Sequence, residues 1–205
     1  MIDATLRPIV ANIGSVTEPL SQYLDFFIKK YVTTLPSYLG DTTDILKIID
    51  SYKCEGNVIL VSFDVQNLYG CIPHKVGLEA LTHYLSTRSP DIQPPNEFLL
   101  KLAEIILTKN FFQYGGSYYL QTRGVSMGSS FSPSFSILTV ARWEEEFIYS
   151  SKNPFSTKVG LWGRYIDDII CVWTGDQDEL EQFIVYMNST TDYLKFTAEY
   201  DVHKV

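Results

Sequence analysis

The stretch RYIDDIICVW (164–173) sets two adjacent carboxylates, Asp167 and Asp168, between residues that otherwise belong in a protein interior. An ionised carboxylate withdrawn from water costs several kcal/mol or more unless a cation or hydrogen-bond donors offset it. Tyr165, Ile166, Ile169, Ile170, Val172 and Trp173 carry no charge, and Arg164 is a single cation. A divalent cation would answer both acids at once. In a straight strand, neighbouring side chains point to opposite faces, so both acids share one ion only if a tight turn separates two strands there. Asp64, directly after the apolar run VILVSF, would bring a third carboxylate from a second strand end. Three carboxylates from two strand ends are what a pair of divalent cations, about 3.5–4 Å apart, needs for in-line phosphoryl transfer. The same acids serve equally well as solvated turn residues, a common use of aspartate.

A third stretch, QTRGVSMGSSFSP (121–133), strings small residues at Gly124, Ser126, Gly128, Ser129, Ser130 and Ser132. Glycine lets a backbone come close to a flat ligand or a phosphate; the plainer use is a flexible loop ahead of a helix. Cys54, Cys71 and Cys171 lie far apart with no CxxC pair, and His74, His83 and His203 lack metal-type spacing. A zinc site or a disulfide framework is therefore not expected. The formal net charge of −8 argues against a generic basic surface for nucleic acid.

The elements that must position these residues are legible in outline. With 205 residues, 45% of them hydrophobic and 14% aromatic, the chain can close one compact core and a small satellite. Leu20, Tyr23, Leu24, Phe27 and Tyr31 recur at helical spacing behind Thr17, a candidate cap. TTDILKIIDSY predicts a shorter helix, and NVILVSF (57–63) a central strand ending at Asp64. HKVGLEALTHYLS and PNEFLLKLAEIILTKN predict two more helices, the second with Pro95 near its start. FFQYGGSYYLQ predicts a hairpin turning at Gly115-Gly116. A long helix follows from SPSFSILTVARWEEEFIYS, then strands LWGRYI and IICVW on either side of the acid pair. GDQDELEQFIVYMN carries a capping box at Asp176 and Glu179, and LKFTAEY predicts a last strand. Hairpin-joined strands with helices between them predict an α+β fold, a mostly antiparallel sheet packed on helices. No run approaches the roughly 18 apolar residues of a membrane span. MIDATLRPIV also lacks the basic-then-apolar start of a secretion signal. An intracellular protein, nuclear or cytoplasmic and away from membranes, is expected.

Taken together and in order, these stretches resemble the palm of reverse transcriptases. FDVQNLY (63–69) is similar to the first catalytic motif, QTRGVSMGSSFSP to the template and nucleotide loop, and YIDD (165–168) to the two-aspartate turn. The resemblance is closer to the polymerases of Penelope-like retroelements, whose recurring phrases RPIVANIGSVTEPLS, LPSYLGDTTDIL, LYGCIPH, ILTKNFF, WEEEFIY, RYIDDI and LKFTAEY are similar to. It spans almost the whole chain and implies a right-hand polymerase palm with a partial fingers region. It implies that Asp64 and Asp167 bridge two Mg²⁺ ions (Mn²⁺ as a substitute), with the Val65 carbonyl assisting and Asp168 completing the cluster. Tyr69 aligns with the bulky residue beneath the incoming sugar that excludes a 2′-hydroxyl, and Arg7 with a fingers arginine that grips the triphosphate. Gln121, Gly124 and Gly128 would line nucleotide and template, and Tyr165 and Ile166 would pack by the primer end. Lys195 matches a late-palm lysine that protonates pyrophosphate, although a solvated lysine explains it as well. The implied partners are an RNA template, a DNA primer and deoxynucleoside triphosphates.

The sequence also departs from that pattern. Gly70 stands where the family usually has threonine, and Ser126 where it has alanine. Residues 1–56 are expected to form partial fingers and connecting helices, and 57–205 a palm cut before the primer grip, thumb and nuclease. The missing parts normally carry much of the basic surface, which would account for the acidic balance. Two other functions fit the same residues. One is a catalytically inactive palm serving as a binding or interaction domain. The other is a metal-dependent nuclease on the same carboxylates, with no need for nucleoside triphosphates.

Overall fold

The computed structural model describes residues 10, 12–54 and 56–201. In chain order the elements are α1 (Glu18–Val32), α2 (Thr42–Ser51), β1 (Ile59–Val65), α3 (Leu68–Cys71), α4 (His74–Leu85) and α5 (Asn96–Thr108). There follow β2 (Phe111–Tyr114), β3 (Ser117–Leu120), α6 (Phe131–Phe147), β4 (Val159–Tyr165), β5 (Asp168–Trp173), α7 (Gln177–Ser189) and β6 (Phe196–Tyr200). Four strands form one antiparallel sheet in the order β4–β5–β1–β6, and β2 pairs with β3 apart from it.

The apolar run of β1 proves one-sided. Ile59, Val61, Phe63 and Val65 are buried while Leu60, Ser62 and Asp64 face out. The strand also runs one residue past Asp64, the expected end, because Asp64 and Val65 are still paired to β6, opposite Thr197 and Phe196. Helices α6 and α7 cover the buried face. Phe183 of α7 stacks on Trp173 at 5.0 Å and meets Phe63 edge-on, while Trp143 of α6 stacks on Phe196 at 4.7 Å. Such aromatic pairs contribute about 0.5–1.5 kcal/mol each beyond the area they bury.

The helices follow local chemistry with two departures. Asp176 accepts from the Glu179 amide at 2.8 Å and donates its own amide to Glu179 at 3.1 Å, the reciprocal box that starts α7. Asp41 caps α2 in the same manner, accepting from Asp44 N–H at 3.1 Å. Thr17, by contrast, makes no capping bond. Its hydroxyl donates instead to Asn12 at 3.1 Å, and a proline in the first turn starts α1. The buried stripe of α1 is Ser21, Leu24, Ile28 and Val32, rotated from the expected one, and Tyr23 is exposed. The rotation follows from Ser129, just ahead of α6, which donates to Ser21 at 2.9 Å, and from Ser134 of α6, which reaches Asp25. Small hydroxyl residues there let the two helices approach closely enough to bond. Gly115 and Gly116 both have positive φ, 56° and 80°, as the β2–β3 turn requires.

Gly77 sets the spacing of α4 on α6, because a Cβ at that position would run into the ring of fully buried Phe135. Gly77→Val is therefore expected to destabilise the fold by about 1–3 kcal/mol, read as a lower thermal midpoint in a circular-dichroism melt.

Candidate active site

The acidic groups meet through register. In the antiparallel pairing of β1 with β5, Asp64 lies opposite Asp168; in that of β4 with β5, Tyr165 does. Only Ile166 and Asp167 remain to turn the chain, so the acid pair straddles a two-residue hairpin tip. The Val65 amide donates to the Asp167 carbonyl at 3.0 Å, which ties the tip to the end of β1. Asp64 and Asp168 share the exposed face of the sheet, and Asp167 is half-buried in the turn. Partial burial, then the charges of Asp167 and Asp64, push the Asp168 carboxyl above the usual aspartate range. Two residues distant by 104 positions thus feel one another across one strand pair.

The donor set here is hard carboxylate oxygen, the type taken by Mg²⁺ and Mn²⁺. Among the described residues, no three His, Cys, Asp or Glu side chains are gathered closely enough to hold a metal ion. The backbone nevertheless assembles the acids at one sheet end, where the charges of Asp167 and Asp64 reach Asp168.

Arg164 is not their counter-charge. It points to the helix-covered face, where Nε donates to Glu144 Oε1 at 2.7 Å and Nη2 to Oε2 at 3.1 Å. Nη2 also reaches the Ile137 carbonyl at 3.1 Å, and Nη1 reaches the Ile166 carbonyl at 3.0 Å. Glu144 further accepts from Ser37 Oγ at 2.6 Å and Trp162 Nε1 at 2.9 Å. Glu144 belongs to the run Glu144-Glu145-Glu146, and sequence reasoning did not single it out. Only burial separates it from its neighbours.

The remaining expected residues fall as follows. Tyr69, in the one-turn helix α3, is half-buried; burial and then the nearby Asp167 and Tyr165 raise its hydroxyl pKa. Tyr165 is exposed on the face that carries Asp168. A cleft of about 220 Å³, lined by Leu39, Ile45, Leu60, Tyr165 and Ile170, runs along that face to Asp168. Gly124 has φ 71°, and a Cβ on it would collide with the Tyr69 carbonyl and the Gly70 backbone. Its glycine requirement therefore comes from close approach within the chain: Val125 N–H donates to Tyr69 O at 2.6 Å and Gly124 N–H to Ile72 O at 3.0 Å. Gln121 accepts from Asn110 Nδ2 at 2.7 Å and donates to Arg123 O at 3.0 Å. The Gly128 amide donates to Val10 O at 3.2 Å. Lys195 Nζ donates to the carbonyls of Asn188 and Thr191 at the end of α7, at 2.9 and 3.4 Å. Arg7 lies outside the described residues.

Neither a protein-family profile nor a curated relative matches the chain. Solved structures do. Apo telomerase from Candida tropicalis, truncated from its C-terminal domain, superposes with a TM-score of 0.63 at 15% identity, over 93% of this chain and 42% of that one. The apo Candida tropicalis enzyme without that truncation gives 0.67 at 14% identity, over 90% of this chain and 36% of the other. Telomerase from Candida albicans, in complex with a TWJ fragment of telomeric RNA, gives 0.65 at 16% identity, over 94% and 36%. The chain thus spans well under half the length of the telomerases it matches. The fold is that of the right-hand polymerases, reverse-transcriptase-like, with its antiparallel sheet packed on helices.

Removing one of the three repelling charges should relieve the sheet end. Because the folded Asp168 carboxyl is raised, its contribution to stability is complete below the ordinary aspartate pKa of about 3.9 and fades as pH climbs through the raised value. Asp168→Asn, melted at pH 7 and low salt without divalent cations, is expected to gain about 1–2 °C over the parent. The gain should vanish near pH 3, where the parent is itself protonated.

Proposed function

We propose that the chain is the palm, with part of the fingers, of an RNA-directed DNA polymerase of the Penelope-like retroelement type. The observation that carries this reading is the register that sets Asp64 opposite Asp168 at a two-residue turn containing Asp167. The proposed reaction joins the 3′-hydroxyl of a DNA primer to the α-phosphate of a deoxynucleoside triphosphate on an RNA template, with loss of pyrophosphate. Asp64, Asp167, the Val65 carbonyl and Asp168 would hold two Mg²⁺ or Mn²⁺ ions. When bound, such ions supply charge stabilisation at the attacking and leaving oxygens.

The chain's own residues supply position. Tyr69, close to Asp167 and Tyr165, places a ring under the incoming sugar, where a 2′-hydroxyl would clash. The loop through Gln121, Gly124 and Gly128 holds nucleotide and template; its hydrogen bond from Val125 to the Tyr69 carbonyl makes loop and ring one unit. Tyr165 faces the primer end, and Arg7 grips the triphosphate. Exact placement of reacting groups accounts for much of the rate in such transfers, since the enzyme makes no covalent bond to substrate.

A second reading, a palm that folds but does not polymerise, is favoured by the finding that, among the described residues, no three His, Cys, Asp or Glu side chains are placed to hold a metal ion. Extension of a primer on an RNA template with Mg²⁺ and deoxynucleotides separates the two. The polymerase reading expects product from the parent chain, and none above background from Asp167→Asn. Product that survives in that variant would mean the acids are wrongly assigned. A folded parent that extends nothing would favour the inactive palm.

A further inference from the structure

We propose that Arg164 and Glu144 are positioning residues, a clamp anchored on α6 that holds the hairpin tip in the conformation presenting Asp167. The inference starts from backbone strain. Ile166 has φ +57°, a left-handed value that a β-branched residue adopts only under strain. Of the two central turn residues only the first has positive φ, the pattern of the turn type that normally puts glycine there. An isoleucine persists in such a place only when its surroundings hold it.

The holding group is Arg164. Its Nη1 donates to the Ile166 carbonyl, whose peptide unit leads into the Asp167 amide. The guanidinium cannot swing away, because Nε and Nη2 form a two-pronged pair with Glu144 and Nη2 also serves the Ile137 carbonyl. Both side chains of the pair are 1% exposed. Glu144 is itself braced by Trp162 from β4 and by Ser37, whose carbonyl accepts from the Arg164 amide at 2.6 Å. Asp167 is thus held on both sides: Arg164 grips the peptide before it, and Val65 binds the carbonyl after it.

Stability alone does not explain such a pair. Two charges removed from water gain little net energy over well-packed apolar residues of similar volume, and replacing them together is often neutral. What apolar residues cannot do is donate to the Ile166 carbonyl. A lysine cannot do it while also keeping both prongs on Glu144, because it lacks the planar fork. The clamp's role in metal binding rests on the polymerase reading above; its hold on the turn does not.

The test uses the whole chain with the paired replacement Arg164→Met/Glu144→Leu, and Arg164→Lys as a second variant should the first not fold. Native-state hydrogen exchange of the Val65 amide, which bonds the tip, is expected to quicken at least about tenfold, while Val61 and Phe63 deeper in β1 keep their rates. Mn²⁺ affinity, measured by electron paramagnetic resonance of the free ion, is expected to fall about tenfold or more, the loss typical of removing an outer support of a metal ligand. An unchanged Val65 rate in a folded variant would overturn the proposal, as would equal acceleration of all three amides. Unaltered Mn²⁺ affinity beside a loosened tip would also overturn it as a positioning role. If the parent binds no Mn²⁺ yet the Val65 amide responds, the clamp stands and the polymerase reading fails.

Discussion

Six successive pairs, from Ile59 opposite Trp173 to Asp64 opposite Asp168, decide where every acid at the sheet end stands. Side chains alternate along a strand, so a slip of one residue would reverse the faces of β1. Phe63 would leave its contacts with Trp162 and Phe183, and Asp64 would enter the space beneath the helices. Burying that carboxylate unpaired while exposing a large aromatic ring is costly on both counts. The aromatic layer therefore does more than close the core. It locks the register, and the register delivers Asp64 to the hairpin tip.

The same sheet keeps its charges apart by face. The acids look outward, where water screens their repulsion; the guanidinium of Arg164 looks inward, already committed to Glu144. A freely placed arginine would have offset one of the three aspartate charges and weakened their pull on any cation. Here repulsion survives: after partial burial, the charges of Asp167 and Asp64 add to the rise of the Asp168 carboxyl. That residual strain is what a hard divalent cation would relieve.

Much of this was legible in the sequence, for reasons tied to particular residues. The strands on either side of Asp167 and Asp168 followed from apolar patterning, the β2–β3 turn from paired glycines, and the α7 start from Asp176 and Glu179, all of them local signals. What escaped depends on contacts distant in sequence. Thr17 looks like a cap but bonds Asn12, and the α1 stripe is rotated because Ser129, ahead of α6, and Ser134 within it draw Ser21 and Asp25 toward them. Helix α3 follows Asn67, whose φ of 51° no pattern of apolar residues announces. Within the site, the three aspartates could be named from their setting, whereas Glu144 sits among identical neighbours. The Gly124 requirement was legible, but its reason was not: the loop's glycine makes room for the Tyr69 carbonyl, a partner 55 residues away.

The Arg164–Glu144 pair also shapes how this chain can drift. Replacing either member alone strands a charge in the interior, a loss of about 3–5 kcal/mol in a fold whose whole margin is about 5–15. Replacing both at once is tolerable energetically, yet it requires two coincident changes 20 positions apart. Descendants of this sequence should therefore lose positions 144 and 164 together or keep both, a coupled inheritance that outlasts divergence in the surrounding helix and strand.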